Sequence, residues 1–259
     1  MLFATRQSWV GIWSGLTAEE CSRVLEHEFK RLIEQSGLDQ EERLSVNQIG
    51  RHCKTFILAM RASNMRMPVR LRSYQSRMDS ATQECTIWEA ARATIASIGE
   101  FLPIKIGPMG ISYVSAGLGF SNPAKEALEE AVRVWHLSDI GCLVSVGAGI
   151  TPPARLDIGL DSPSFLRMLN LQNLSRFPEV LRTLFRVATD CERTHEELSR
   201  DARLLKLNYF RFNVATGLEN VARYDVSCQE TLRNETDIYL QKSETANSCS
   251  FCAFHLREG

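Results

Sequence analysis

Serines flanked by glycine are the first residues in this sequence whose types and spacing could do chemistry. Many serine hydrolases hold the nucleophile in a Gly-x-Ser-x-Gly turn between a strand and a helix, where its hydroxyl is exposed. Two segments approach that pattern, Gly11-Ile-Trp-Ser14-Gly15 and Tyr113-Val-Ser115-Ala-Gly117. The first has its serine one place late, and the second has tyrosine where glycine is required. We therefore expect neither serine to be a nucleophile.

Two cysteines and a histidine near the C-terminus have the spacing of metal ligands or of a redox pair. Cys249, Cys252 and His255 follow one another at intervals of three positions. A structural zinc site needs four ligands, and no second Cys-x-x-Cys or histidine pair stands nearby. A thioredoxin-like site needs the motif at a helix start after a strand. The pattern is more typical of two cysteines on a C-terminal helix, so we predict no metal site and no cofactor site.

Three further features have both a functional and a structural interpretation. His195 lies on the apolar stripe of a predicted helix, which favours a histidine satisfied in the core over a catalytic one. Gly147-Ala-Gly149 lacks the third glycine of a phosphate-binding turn and favours a structural turn. A basic stretch could meet anionic lipid headgroups, although a solvated hairpin is its default interpretation. It contains Arg61, Arg66, Arg70, Arg72 and Arg77.

Helical and extended patterns alternate over the first 150 residues. Thr17 and Thr86 each stand three residues before a glutamate, a capping box that predicts a helix start. Asn122-Pro123 predicts a third start, with a cap residue before a first-turn proline. The predicted helices cover residues 17–35, 86–97 and 123–135, and the strands cover residues 54–60, 69–74, 111–114 and 141–146. This alternation predicts an α/β fold with a mainly parallel sheet.

The pattern changes after two consecutive prolines at positions 152 and 153. Apolar residues then recur at three- and four-residue steps over residues 178–205, which predicts one long amphipathic helix. A strand at 209–214 and two more helices, at 225–242 and 247–257, complete the prediction. We interpret this part of the chain as a helical extension.

The composition limits the classes of function. The chain has 30 Lys and Arg residues against 31 Asp and Glu, so no basic excess is available to neutralise phosphates, and we expect no nucleic-acid partner. No apolar run reaches the ~18 residues of a membrane span. Eight cysteines in 259 residues are too few for a disulfide scaffold. The first fifteen residues lack the features of a signal peptide, which predicts a cytoplasmic protein.

Four segments have a more specific pattern. They are Cys53-Lys-Thr-Phe-Ile, Trp88-Glu-Ala-Ala-Arg-Ala-Thr94, Tyr113-Val-Ser-Ala-Gly-Leu-Gly-Phe-Ser-Asn-Pro123 and Cys142-Leu-Val-Ser-Val-Gly-Ala-Gly149. Their order and spacing resemble the C-terminal half of the patatin-like phospholipases, lipid acyl hydrolases, and especially their fungal members. The resemblance implies a partial patatin-like domain over residues 17–150, without the nucleophile turn. A poorly defined segment 1–16 precedes it, and the helical extension 151–259 follows it.

The resemblance also implies which catalytic groups are missing. Members of this family use a Ser–Asp dyad, with the serine in a Gly-x-Ser-x-Gly turn and a glycine-rich segment that binds the oxyanion. This chain contains neither motif, and we expect it to begin downstream of both. By alignment on Asn122-Pro123, Ser115 occupies the position of the family's aspartate and Ala116 that of the next glycine. A serine hydroxyl cannot replace a carboxylate as a base at neutral pH, so we predict no catalytic residue.

These observations leave three hypotheses for function. The first is a degenerate family member that does not hydrolyse esters but retains a role at a lipid or membrane surface or in protein binding. The second is an active serine lipid acyl hydrolase whose full gene product includes a missing N-terminal part. The third is a relic without the nucleophile strand, in which the apolar runs 55–60 and 142–146 are uncovered and cause self-association.

Overall fold

The computed structural model describes residues 17–44, 53–75, 85–97, 101–150, 177–218, 221 and 226–258. Contacts divide the chain into unit 1, residues 1–117 with 223–227, and unit 2, residues 118–222 with 228–259. Ser14, Arg77 and the predicted segment 1–16 lie outside the described residues. The predicted boundary of the family domain at residue 150 stays a prediction.

In the part of unit 1 that the structure describes, a sheet is combined with two α-helices. Its helices are α1 (Ala18–Gln35) and α2 (Ile87–Ile95), and its strands are β1 (Phe56–Arg61), β2 (Asn64–Arg72), β3 (Ile104–Ile106) and β4 (Ile111–Ser115). The strand order is β2-β1-β4-β3, and every neighbouring pair is antiparallel. The prediction of a mainly parallel sheet is therefore wrong for this part of the chain.

Short connections explain why these strands are antiparallel. Only residues 62–63 separate β1 from β2, and residues 107–110 separate β3 from β4. A parallel pair needs a crossover of about a dozen residues or more, which neither connection provides. Gly107 and Gly110 have φ angles of +74° and +59°, a backbone conformation that glycine adopts most easily. The apolar runs predict where strands lie, but the direction of pairing depends on the length of chain between them.

Both helices of unit 1 begin at the predicted capping boxes. The Oγ1 of Thr17 accepts a hydrogen bond from the Glu20 N–H at 3.3 Å, and the Glu20 carboxylate accepts one from the Thr17 N–H at 2.7 Å. Thr86 and Glu89 repeat this arrangement at the start of α2. These reciprocal bonds satisfy N–H groups that the first turn of a helix leaves without a partner.

The core of unit 1 lies between α2 and the sheet. Ala90 and Ala93 of α2 are fully buried, and their small side chains allow the helix backbone to approach the strands. Leu71 of β2 and Tyr113 of β4 fill the space on the sheet side. A smaller cluster, Cys21, Leu25 and Phe101 with the partly buried Phe29 and Ile95, involves α1.

The basic hairpin is only partly solvated. Arg61 and Arg66 are exposed, whereas Arg70 and Arg72 are buried, with only 8% and 4% of their surface accessible to solvent. The prediction of a solvated hairpin is therefore wrong at Arg70 and Arg72, because both faces of β2 are covered there. Two of the four arginines that the structure describes in this stretch remain accessible, so these four form no continuous basic surface.

The described residues of unit 2 form α-helices that surround a small parallel sheet. In chain order its elements are α3 (Ala124–Val134), β5 (Cys142–Val146), α4 (Phe177–Ala188), α5 (Glu192–Leu205), β6 (Asn208–Phe212), α6 (Gln229–Gln241) and α7 (Ser243–Glu258). The strands β5 and β6 pair in parallel, with Cys142 opposite Asn208 and Val146 opposite Phe212. The two C-terminal helices confirm the helical character predicted for the end of the chain. No described helix is long and apolar enough to cross a membrane.

The long helix predicted over residues 178–205 is two helices. The chain leaves the helical conformation at Thr189–Cys191, between α4 and α5. The Thr189 hydroxyl donates to the Phe185 carbonyl at 2.9 Å, and the Asp190 carboxylate accepts from the Glu192 N–H at 3.0 Å. Such side-chain bonds to the local backbone compete with the helical ladder, so the apolar period alone did not reveal the break.

One face of the β5–β6 sheet packs against α3 and α5. Leu128 of α3 and Leu198 of α5 are buried in this cluster, and the partly buried Leu143 and Tyr209 pack against them from the sheet. The opposite face carries Val144, which is 36% exposed, and Val146, which is 78% exposed. Unit 2 thus has one covered sheet face and one face that is open at its C-terminal end.

Candidate functional site

Ser115 is the last residue of β4 and lies half-buried at the start of a turn. Its backbone N–H donates to the Ala96 carbonyl at 2.9 Å, which ties the strand to the end of α2. Its Oγ accepts a hydrogen bond from the Gly117 N–H at 3.1 Å. The side chain therefore stabilises the local turn, as serine commonly does.

The surroundings of Ser115 do not activate its hydroxyl. A nucleophilic serine needs a base within about 2.6–3.2 Å, and the base itself is oriented by a third group. Within the described parts of the chain, no imidazole or carboxylate is a hydrogen-bond partner of Ser115. Serine also carries no charge at neutral pH, whereas an aspartate at this position would accept a proton.

A cluster of polar side chains lies at the carboxyl end of the parallel sheet in unit 2. We call it the Arg211 cluster, and its members are Asn122, Ser145, Cys191, Glu192, Tyr209, Arg211 and Asn213. Arg211 donates from Nη1 to the Ser145 hydroxyl at 2.8 Å and from Nη2 to the Glu192 carboxylate at 3.3 Å. The Arg211 side chain is only 6% exposed, so Glu192 balances a charge that water hardly reaches.

Asn122 joins three elements of unit 2. Its Oδ1 accepts from the Ala124 N–H at the start of α3 and from the Ser145 hydroxyl of β5, at 3.2 and 3.3 Å. Its Nδ2 donates to the carbonyl of Cys191, at the start of α5, at 3.2 Å. The N-cap is Pro123 and not Asn122 as predicted, so the helix begins one residue later, at Ala124. The Asn122 side chain still bonds the first turn and connects that helix to the sheet.

The Gly147-Ala-Gly149 turn is occupied by a side chain of the protein itself. Asn213 accepts a hydrogen bond from the Gly149 N–H at 2.8 Å and donates one to Glu192 at 3.1 Å. A Cβ atom at Gly147 would overlap the Asn213 amide, so glycine is required for this close approach. The turn therefore serves the packing of β5 and β6, in agreement with its structural interpretation.

His195 is half-buried and satisfied by neighbours in its own unit. Its Nδ1 lies 3.2 Å from the Tyr209 hydroxyl and 3.4 Å from the Ser199 hydroxyl, one helical turn further on. Burial raises the pKa of Tyr209, so this hydroxyl stays neutral at physiological pH. Both hydroxyls approach the same ring nitrogen, whereas a catalytic triad places the serine and the orienting carboxylate on opposite nitrogens of the imidazole, so this contact is not a triad.

A cavity of about 520 Å³ lies beside the junction of α4 and α5. Phe120, Val187 and Ala188 form apolar parts of its wall. Its charged lining residues are Lys125, Glu126, Asp190, Arg193 and Glu197. Glu197 binds Arg193 at 3.1 Å and lies 3.7 Å from Lys125. The hydrogen bond from Arg193 lowers the pKa of the Glu197 carboxyl, which favours its charged form.

The Cys-x-x-Cys motif lies on α7, as predicted for a C-terminal helix. Cys252 is buried, and Cys249 is partly exposed. Over the described ranges of the chain, no group of three or more His, Cys, Asp or Glu side chains is arranged to hold a metal ion.

The Arg211 cluster was not predicted from the sequence. One pattern in the sequence could have indicated it. Tyr209, Arg211 and Asn213 alternate with two phenylalanines, so in an extended segment their side chains share one face. An arginine between aromatic residues of a strand needs a buried anion or exposure to water. The anion proved to be Glu192, which lies nineteen positions away and on another element.

Comparison with known proteins gives one partial similarity to a phospholipase. A stretch of 127 residues, 49% of this chain, is 30% identical to the calcium-independent phospholipase A2-gamma of Mus musculus. The stretch spans 14% of that protein. No family model and no solved structure matches the chain. The similarity supports a relation to phospholipases over about half of the chain.

Proposed function

We propose that this chain is a degenerate relative of the patatin-like lipid acyl hydrolases that binds lipid surfaces without hydrolysing esters by itself. The partial similarity to a phospholipase and the four sequence segments support the relation. The Ser115 turn carries the proposal of inactivity. Its hydroxyl accepts from the Gly117 N–H, where the family resemblance places an ionised aspartate. The chain also contains no Gly-x-Ser-x-Gly turn.

Ester hydrolysis by the purified chain is the direct test of inactivity. We expect no turnover of p-nitrophenyl acyl esters above the background rate, because the sequence has no Gly-x-Ser-x-Gly turn and Ser115, among the described residues, has no base as a hydrogen-bond partner. The variant Ser115→Asp should remain inactive, since it restores the carboxylate without the nucleophile. Hydrolysis that a serine-directed fluorophosphonate abolishes would contradict the proposal.

The proposed lipid-binding surface is the apolar face of α4. Its apolar side chains recur at three- and four-residue steps, and four of them are at least 44% exposed within the described structure. They are Leu181, Leu184, Phe185 and Val187. The exposed Arg186 lies on the other side of the helix. An amphipathic helix of this kind can lie in the plane of a membrane interface with its apolar face among the acyl chains.

The cavity beside α4 fits the same interpretation. Val187 belongs both to the apolar face of the helix and to the cavity wall. Lys125 and Arg193 are both paired with Glu197. Glu126 and Asp190 add two more carboxylates to the lining, so the ammonium group of a zwitterionic phospholipid headgroup is the best chemical match. The surface and the cavity therefore favour a phospholipid over an anionic polymer.

Flotation with phosphatidylcholine vesicles tests this surface. We expect Leu184→Glu to reduce the bound fraction at least tenfold, because a carboxylate on the apolar face cannot enter the acyl region without a large desolvation cost. Leu204→Glu is the matched control, since Leu204 is 83% exposed on α5, outside this face. Equal binding of the wild type and the Leu184 variant would exclude α4 as the contact.

A second candidate is an active serine lipid acyl hydrolase in which a further segment supplies the nucleophile turn. The observation that favours it is the 14% coverage of the matched phospholipase. Sequencing of full-length transcripts tests it. An in-frame Gly-x-Ser-x-Gly upstream of Met1 would support this candidate, and transcripts that start at Met1 would exclude it.

A further inference from the structure

Three thiols lie where α7 meets the parallel sheet of unit 2. Cys142 is the first residue of β5, and Cys249 and Cys252 lie one turn apart on α7. The helix packs against both β5 and β6. Cys252 retains 5% of its surface, while Cys142 and Cys249 are partly exposed. All three are free thiols.

Contacts of Asn208 show which part of α7 faces the start of β5. Asn208 is the register partner of Cys142. Its Nδ2 donates to the Gly141 carbonyl at 3.2 Å and lies 3.4 Å from the Nδ1 of His255. His255 and Cys252 are three positions apart, so they share a face of the helix. That face therefore places Cys252 next to the beginning of β5.

The protonation behaviour of the thiols agrees with this placement. Burial raises the pKa of Cys142, and the charge that Cys252 can carry raises it further. Burial also raises the pKa of Cys252, followed by the effect of Cys249. Cys252 is therefore within electrostatic reach of the other two, and the raised pKa values keep Cys142 and Cys252 mainly protonated near neutral pH.

We propose that Cys142 and Cys252 form a reversible disulfide that ties β5 to α7, by exchange with a small-molecule disulfide such as oxidised glutathione. The more accessible Cys142 thiolate attacks one sulfur of the oxidant, forms a mixed disulfide and releases one glutathione thiolate. Cys252 then attacks the Cys142 sulfur and releases the second glutathione. The protein loses two electrons and two protons, and one oxidised glutathione becomes two reduced ones.

Two alternatives at this cluster are less compatible with the structure. A metal site is not formed, because the three thiols and His255 are not arranged as ligands within the described residues. A Cys249–Cys252 disulfide would have to form within the continuous helix α7, where Ser243–Glu258 holds regular helical geometry. A bond between Cys142 and Cys252 instead joins two elements that already pack against each other.

Peptide mapping after oxidation of the full-length chain tests the proposal. With an excess of oxidised glutathione, non-reducing digestion should yield a Cys142–Cys252 peptide pair, and dithiothreitol should remove it. Cys249→Ser should still form the pair, whereas Cys142→Ser and Cys252→Ser should not. A Cys249–Cys252 linkage as the main product, or no internal linkage at all, would overturn the proposal.

Buried Cys85 provides an internal control for unfolding during the experiment. It is 1% exposed, and burial raises its pKa to about 12. Cys85 should therefore remain unmodified by glutathione while the disulfide forms. If Cys85 is modified at the same rate as Cys142, the linkage arises from an unfolded chain and the proposal fails. The rate of formation should rise between pH 7 and pH 9, because thiolates are the attacking species.

Discussion

At the scale of single residues, two serine hydroxyls among the described residues are engaged by neighbouring groups of the protein itself. Ser115 uses its oxygen to hold the Gly117 N–H, and Ser199 meets a histidine whose other partner is the Tyr209 phenol. A less exposed polar contact is the pairing of Arg211, whose side chain is 6% exposed, with Glu192. In a buried site such a pair stabilises a particular packing more than it performs chemistry.

A double-mutant cycle measures the Arg211–Glu192 pair. Glu192→Gln should lower the free energy of unfolding by about 1–3 kcal/mol, since it leaves the buried guanidinium without its anion. Arg211→Met combined with Glu192→Gln should cost less than the sum of the single changes. Glu19→Gln is the control, because its pair with Arg23 is more than 65% exposed on both sides and should contribute almost nothing. Additive costs in urea denaturation would show that the pair is not coupled.

At the scale of elements, a few residues with local hydrogen bonds decide where helices begin and where they break. The capping boxes at Thr17 and Thr86 formed where the sequence predicted them. The break between α4 and α5 came from Thr189 and Asp190, whose hydrogen bonds to nearby backbone groups override an apolar period that continues through them. In each case, side chains that bond the nearby backbone decide the helix boundary. The capping boxes have a known sequence pattern and were predicted, whereas the Thr189–Asp190 break was not.

Loss of the Thr86 cap should measurably destabilise the packing of α2 on the sheet. Thr86→Ala removes the acceptor for the Glu89 N–H and should lower the free energy of unfolding by about 1 kcal/mol. Thr86→Ser keeps the hydroxyl and should stay within a few tenths of a kcal/mol of the wild type. Thermal denaturation followed by circular dichroism distinguishes the two, and equal losses would indicate that the methyl group, not the cap, is responsible.

At the scale of the whole molecule, apolar surface is distributed unevenly. The run at 55–60, expected to be uncovered in a relic, has Leu58, Ala59 and Met60 buried, because β1 is a central strand of the antiparallel sheet. The run at 142–146 does expose Val144 and Val146. Together with α4, these residues give unit 2 an apolar surface that favours contact with another molecule.

We expect the chain to self-associate through the open face of the β5–β6 sheet in the absence of lipid. Light scattering over a hundredfold range of concentration should show the mean mass rising with concentration. Val146→Ser should reduce that rise without loss of stability, because the side chain is 78% exposed. A monomer whose mass does not change with concentration would contradict this prediction. Leu204→Ser is the control, because it makes the surface more polar outside the β5–β6 face and should leave the rise in mass unchanged.

The sequence by itself determined the features that depend on residues close together along the chain. It gave the two helix starts marked by capping boxes, the amphipathic stripes, the resemblance to lipid acyl hydrolases and the lack of a nucleophile turn, since each is written in a segment of a few to a few dozen residues. Only the tertiary structure decided the antiparallel pairing in unit 1, the burial of Arg70 and Arg72, and the Arg211 cluster. That cluster joins residues from position 122 to position 213, and the cost of burying its charge depends on which of them the folded chain brings together.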